Sequence, residues 1–420
     1  MTRISLYIFQ CNYNSLNFYN IKIIMKTNIT ITSQVCKSRM VMGLVSSISV
    51  FLFLSFLSCH STSEPSNNSS TISIIPFEEA KTMLHADIVE RQEFVLLSTA
   101  QNALFSRIDK LLAMNDQFYL FDHLSKAGIL VFDRAGNFIR SIGEIGEGPQ
   151  QLKYIDDFQV LANGDVLLLD KIQKQIITYD STGQFKEKVF IPINSGGFAK
   201  KEENWFLSIN FDHQNPDLVN NEKFGVFNQN FEPDSLYFSY PKDARNANVY
   251  YNSGIVSIGL GSIVYHRPPN DTLAIFNEEG KLIDRILIDF GSYRLPDEVV
   301  FDFQKIEEFQ QKEQAFRYLQ TPILPIKNNL FGLISGTDRT FWTFVINRHD
   351  KELYVQEIDF NDFHLRELII PSANLDNRAI VSLIDPVIFR QDSKPEAYPL
   401  DVQNHLKREG TVLLLQFLKP

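Results

Sequence analysis

The densest local grouping of chemically capable side chains in this sequence is His266-Arg267-Pro268-Pro269-Asn270-Asp271, which puts a titratable ring, a fixed cation and a carboxylate on one short loop. Such a trio could hold an anion or pass a proton. Its two prolines equally suit a stiff turn before the apolar run Thr272 to Phe276. Asp122 and Asp170 form a second set, because they end the matching runs FYLFD and VLLLD. In a ring of repeats, aspartates at matched strand ends could line a central channel and offer oxygens to Ca²⁺. Strand-end aspartates also accept backbone N–H bonds, a use that recurs with a fold. No DxDxDG loop accompanies them, so no metal site is assigned and Ca²⁺ is the one cofactor left open.

The remaining chemistry is thin. His85, His123, His213, His349, His364 and His405 form neither HExxH nor an HxH pair, and no GxSxG elbow is present. The three cysteines are Cys11, Cys36 and Cys59, so everything after Cys59 lacks a thiolate nucleophile, a Cys-based zinc site and a disulfide. Gly143 to Pro149 reads GEIGEGP; it has no following Lys or Ser/Thr, and its acidic residues would repel phosphate. Its glycines fit a connecting loop. The balance leans towards a non-enzymatic chain with enzymatic activity left open, and catalytic residues are unassigned.

The elements that must position these residues are strands in a repeat. FYLFD…ILVFDRAGNFIRSIG is followed by VLLLD…IITYDSTGQFKEKVFIP, so that Asp133 and Asp180, Gly136 and Gly183, and Phe138 and Phe185 all stand 47 residues apart. A period of this size is that of a propeller blade of four strands. Further turns are expected at Asn228 to Asn230, Asn277 to Gly280 and Asp359 to Asp362. The last interval is long because Pro296 to Leu319 places Val299, Phe303, Ile306, Phe309 and Phe316 near one helical face. Five turns mark five blades. A sixth is expected from both chain ends, with Phe94 to Leu97 pairing with Thr411 to Leu418, since an open ring would expose two sheet edges. The expected fold is therefore an all-β, six-bladed β-propeller, with seven blades as the rival count and a helical insertion near residues 296–319.

The N-terminus supplies an address. Residues 1–58 hold five basic residues and no acidic ones; the remainder carries 35 basic against 50 acidic residues, a net charge near −15. That balance, without any basic run, argues against nucleic acid as a partner. Val41 to Leu57 is uncharged and apolar, preceded by Lys37 and Arg39 and followed by Ser58-Cys59. The arrangement resembles a bacterial lipoprotein signal with Phe56 to Cys59 as its lipobox. That resemblance implies acylation of Cys59 and attachment to a lipid membrane. An uncleaved anchor helix is the alternative, and Met25-Lys26 is a more natural start than Met1. The organisation is thus an extension and signal at 1–58, a polar Ser/Asn-rich tether at 59–76 and a propeller at 77–420.

With FYLFD, FDRAGNFIRSIG, GEIGEGPQQLKYIDDF and YHRPPNDTLAIF in view, the chain resembles the six-bladed β-propeller lipoproteins of Bacteroidetes, distant relations of NHL-repeat propellers. The resemblance spans roughly Phe77 to Pro420. It implies a cell-envelope protein at the outer membrane; the broad surface of a repeat ring and the lack of a catalytic motif point to a module that binds a peptide, glycan or protein partner. A metal-dependent lyase or hydrolase using Asp122, Asp170 or His266 at the channel is the alternative.

Overall fold

The computed structural model describes residues 71–420 except 126, 149–150, 213–214, 218, 220, 242–254, 260, 301 and 313–314. Cys59, the signal segment, the tether up to residue 70 and His213 lie outside the described residues. The described chain forms six antiparallel sheets of four strands each, two of them widened by a fifth strand. Blade 1 spans Lys110–Met114 to Phe138–Ile142 and blade 2 spans Asp157–Val160 to Phe185–Phe190. Blade 3 spans Ser195–Lys201 to Pro233–Ser239 and blade 4 spans Ile255–Gly259 to Leu282–Asp289. Blade 5 spans Arg317–Ile326 to Glu352–Glu357. The six-bladed propeller is thus the fold.

Alternation along each strand is what builds the ring. Within Gln117–Phe121, Phe118 and Leu120 face a cluster shared with blade 6, whereas Tyr119 and Phe121 face one shared with blade 2. The same division continues between blades 2 and 3, 3 and 4, 4 and 5, and 5 and 6, so the core consists of layers between neighbouring blades. No blade buries both its faces alone, which is why closure matters.

Blade 6 provides that closure. Its three inner strands, Ala373–Leu375, Ala379–Ile384 and Val412–Leu418, come from the C-terminal end, and its outer strand Val89–Leu96 comes from the N-terminal end. Leu96 pairs with Val412 and Phe94 with Leu414, as the sequence pattern requires. Before reaching blade 6 the chain walks along its neighbours. Ile72–Pro76 adds a parallel fifth strand to blade 4, and Lys81–Thr82 adds one to blade 5.

Three expectations are corrected. The tether expected to run to residue 76 ends earlier, because Ile72–Pro76 is a strand of blade 4. The helix occupies only Phe303–Gln311, capped by the Asp302 carboxylate at the N–H groups of Gln304 and Lys305, and Arg317 onward is the inner strand of blade 5. Aromatic and aliphatic residues at helical spacing there serve one helical turn pair and then a strand. The fifth hairpin turn lies between Asn347 and Glu352, and Asp359 to Asp362 connects blades 5 and 6. The Asp359 carboxylate does accept the Asn361 N–H at 2.8 Å. Turn chemistry therefore marked a reversal correctly without showing which strands flank it.

Among the described residues no helix is long and apolar enough to cross a membrane.

Candidate functional site

The six inner strands enclose a channel cavity of about 1110 Å³. Its wall is stitched on one side by side chains that reach from blade to blade. Lys110 Nζ donates to Asp157 Oδ1 at 2.6 Å and to the Phe158 carbonyl at 2.8 Å. Asp157 Oδ2 accepts the Phe198 N–H at 3.0 Å, and Gln159 exchanges two hydrogen bonds with the Lys200 backbone. Blades 1 to 3 thus present fixed polar groups, while Val256, Ile258, Leu324, Ile370 and Ala373 make the facing wall mainly apolar. Lys110, Asp157 and Gln159 are thereby engaged in bonds between neighbouring blades.

One mouth of the channel has a distinct chemistry. The loops after the second strand and the loops before the inner strand leave each blade at the same end, since Asp122 of the former bonds Ser106 and Arg107 of the latter. On this end Leu104 is 60% exposed, Leu124 53%, Ile172 68% and Val387 43%. These four, an apolar lip, belong to three consecutive blades, 6, 1 and 2; Val387 lines the cavity, as do Phe105 and Ile388, next in sequence to Leu104 and Val387.

Val387 is positioned by an insertion in blade 6, residues 385–411, which carries the helix Leu400–Lys407. Its fastening is a buried carboxylate. Asp392 accepts Tyr398 Oη at 2.6 Å and the N–H groups of Leu365 and Lys394 at 2.9 Å each, and His364 Nδ1 lies 2.7 Å away. Burial alone would raise the Asp392 pKa, but the bonds from Tyr398, Leu365, Lys394 and His364 outweigh it and hold it below the usual carboxylate range. Burial and the Asp392 carboxylate push the Tyr398 phenol up.

The aspartates expected at the channel are elsewhere. Asp122 and Asp170 are 1% and 0% exposed and are absent from the cavity wall. Asp122 takes the N–H groups of Ser106 (2.6 Å) and Leu124 (2.8 Å); Asp170 takes those of Lys153 (2.8 Å) and Gln173 (2.9 Å). Each carboxylate ends a second strand, one layer away from the channel, and ties two loops together. Strand register puts Arg267 at the same place in blade 4, because Phe118, Val166 and Ile263 pair with Phe132, Tyr179 and Phe276 and each stands four residues before it. Buried Arg267 donates to the Ile209 carbonyl at 3.0 Å and to Asn210 Oδ1 at 3.3 Å, which ties blade 4 to blade 3.

His266 and Asp271 do not join Arg267 in one open site. His266 is 1% exposed and its Nε2–H donates to the Asn270 carbonyl at 3.0 Å. Burial pushes its pKa down to about 4. Asp271 accepts Arg294 Nε at 2.6 Å. The loop is a closed turn, with the Asn270 N–H bonded to the Arg267 carbonyl. Among the described residues no group of three or more His, Asp or Glu is placed to hold a metal ion.

Sequence reasoning missed the lip, although a signal was present. Leu124 and Ile172 each stand two residues after the repeated aspartate, an apolar residue in an otherwise polar turn. Lys110 and Asp157 lie 47 residues apart, one repeat period, and that spacing makes them neighbours in the ring.

No curated protein matches the chain by sequence. Among solved structures it is similar to a Bacteroides fragilis protein named as exported, at 14% identity and a TM-score of 0.63, covering 83% of this chain and all of that one. It also aligns with a DUF4221 family member from Bacteroides vulgatus, at 11% identity and a TM-score of 0.48, covering 81% of this chain and 99% of that one. At these identities the first likeness establishes the propeller. A family profile described as a domain of unknown function, DUF4934, matches residues 70–407, and the chain belongs to that family.

Proposed function

We propose that the protein is an extracytoplasmic binding propeller, lipid-anchored through Cys59, that holds an apolar segment of a peptide or protein partner at the channel mouth made by blades 6, 1 and 2. The observation that carries this reading is the set of exposed aliphatic residues Leu104, Leu124, Ile172 and Val387 on loops at one end of blades 6, 1 and 2, beside a cavity that Val387, Phe105 and Ile388 line. A lip of aliphatic side chains suits a peptide better than a glycan, which is held by aromatic platforms and hydrogen bonds. The exported name of the Bacteroides fragilis protein and the lipobox at Phe56 to Cys59 support a place in the cell envelope. The enzymatic alternative loses its support, since Asp122, Asp170 and His266 are spent on loop bonds away from the cavity.

The test is native mass spectrometry of protein gently released from its own membrane, for wild type, Ile172→Asp and Phe190→Asp. Phe190 is 65% exposed on the outer strand of blade 2 and serves as an apolar control on the perimeter. A stoichiometric adduct in wild type and Phe190→Asp that is lost in Ile172→Asp supports the reading. An adduct indifferent to Ile172→Asp overturns it.

A further inference from the structure

The strand Ile72–Pro76 creates a second apolar strip, on the outer rim of blade 4. It pairs in parallel with Leu282–Asp289, setting Ile72 opposite Arg285 and Ile74 opposite Leu287. Residues at paired and alternate positions share a sheet face, so Ile72, Ile74 and Leu287 project to one side, and Ile283 is exposed at the bulge two residues before Arg285. The other side carries Ile75, Ile286 and Ile288, which are buried in the layer between blades 4 and 5. The outward strip is open: Ile74 is 58% and Ile283 45% exposed, and Ile72 and Leu287 are partly exposed. Arg285 stands within it.

Covalent reach says what this strip meets if Cys59 is acylated, and the inference rests on that part of the proposed function. Ile72 stands thirteen chain steps after Cys59, with twelve residues between them. Even fully extended these steps span at most about 45 Å, while a domain of this size is on the order of 50 Å across. The chain from Cys59 joins the ring at blade 4, on the rim that carries the strip. In a closed ring of six, blade 4 stands opposite blade 1, the centre of the apolar lip. We infer that the propeller stands on edge: the rim strip Ile72, Ile74, Ile283 and Leu287 rests in the headgroup boundary of the bilayer, with Arg285 at the phosphate level, and the lip faces away from the membrane. Aliphatic side chains flanked by a cation are the chemistry that lies in such a boundary. The arrangement leaves the channel mouth free for a partner.

Site-specific quenching tests the orientation. Once Cys59 is acylated, the chain has no other thiol after that residue, so Ile283→Cys and Ile172→Cys each introduce a unique labelling position. The full acylated protein, labelled with nitrobenzoxadiazole and reconstituted in phosphatidylcholine/phosphatidylglycerol vesicles, is titrated with headgroup spin-labelled phosphatidylcholine. Quenching several-fold stronger at Ile283→Cys than at Ile172→Cys is expected. Equal or weaker quenching at Ile283→Cys, in protein that floats with the vesicles, overturns the edge-on orientation and leaves the anchor standing. Protein that fails to float, or that floats equally well as Cys59→Ala, removes the anchor and this inference with it.

Discussion

Asp122 and Asp170 show how one residue type at one register position is reused as a fastening. Each is buried and takes N–H groups from two loops, so Asp122→Ala removes the acceptor that ties the Ser106 and Leu124 N–H groups together. We expect a loss of about 1–3 kcal/mol for either substitution, read from urea unfolding with an unchanged slope. A different linkage governs His266. Its pKa in the fold is depressed to about 4 against an ordinary value of 6.5, so protons bind the unfolded chain more tightly. Stability from this group is complete above pH 6.5 and declines as the pH falls towards 4, by up to about 3 kcal/mol. Unfolding measured across that window should lose this part of its slope in His266→Phe. The aspartates were legible in the sequence as a recurring pair, but their role was not. A strand-end position in the repeat does not say whether a side chain turns to the channel or to the neighbouring loop, and register alone revealed that Arg267 occupies the same place. The third turn makes a similar point. Phe231 takes the positive φ (59°) that Gly136, Gly183 and Gly280 take elsewhere, and its ring packs 5.1 Å from Trp205, a contact that offsets the backbone strain.

At the level of elements the ring depends on its closing blade and on the insertion that blade carries. Leu414 is wholly buried, pairs with Phe94 and joins the layer around Tyr398 and Leu406. Leu414→Ala should cost about 2–5 kcal/mol, and deletion of Thr411 to Pro420 should abolish the single cooperative transition seen by calorimetry. Tyr398→Phe removes one of the donors to Asp392 and should cost about 1 kcal/mol while loosening the loop that bears Val387. Faster hydrogen exchange confined to residues 385–411 would register that loosening. The closure was readable because strand alternation and the need to cover edges point to the same pair of chain ends. The strap over blades 4 and 5 was not, because Ile72–Pro76 and Lys81–Thr82 are short runs whose partners lie about 200 and 270 residues away. The helix was overextended for a related reason: Phe316 fits a helical face and is equally suited to the start of a strand.

Among the described residues the exposed large apolar side chains include two groupings, alongside others such as Leu84, Ile139, Phe190, Tyr293 and Leu400. Leu104, Leu124, Ile172 and Val387 stand on loops at one end of blades 6, 1 and 2, and Ile74 and Ile283 lie on blade 4, across the ring. The central claim is that the lip is where a partner docks. Photocrosslinking in the native cells, with benzoylphenylalanine in place of either Ile172 or Phe190, tests it most directly, since both residues are strongly exposed and only Ile172 belongs to the lip. The account predicts a discrete crosslinked species from the Ile172 position and none from Phe190. A species from Phe190 with none from Ile172, or equal yields from both, would contradict it.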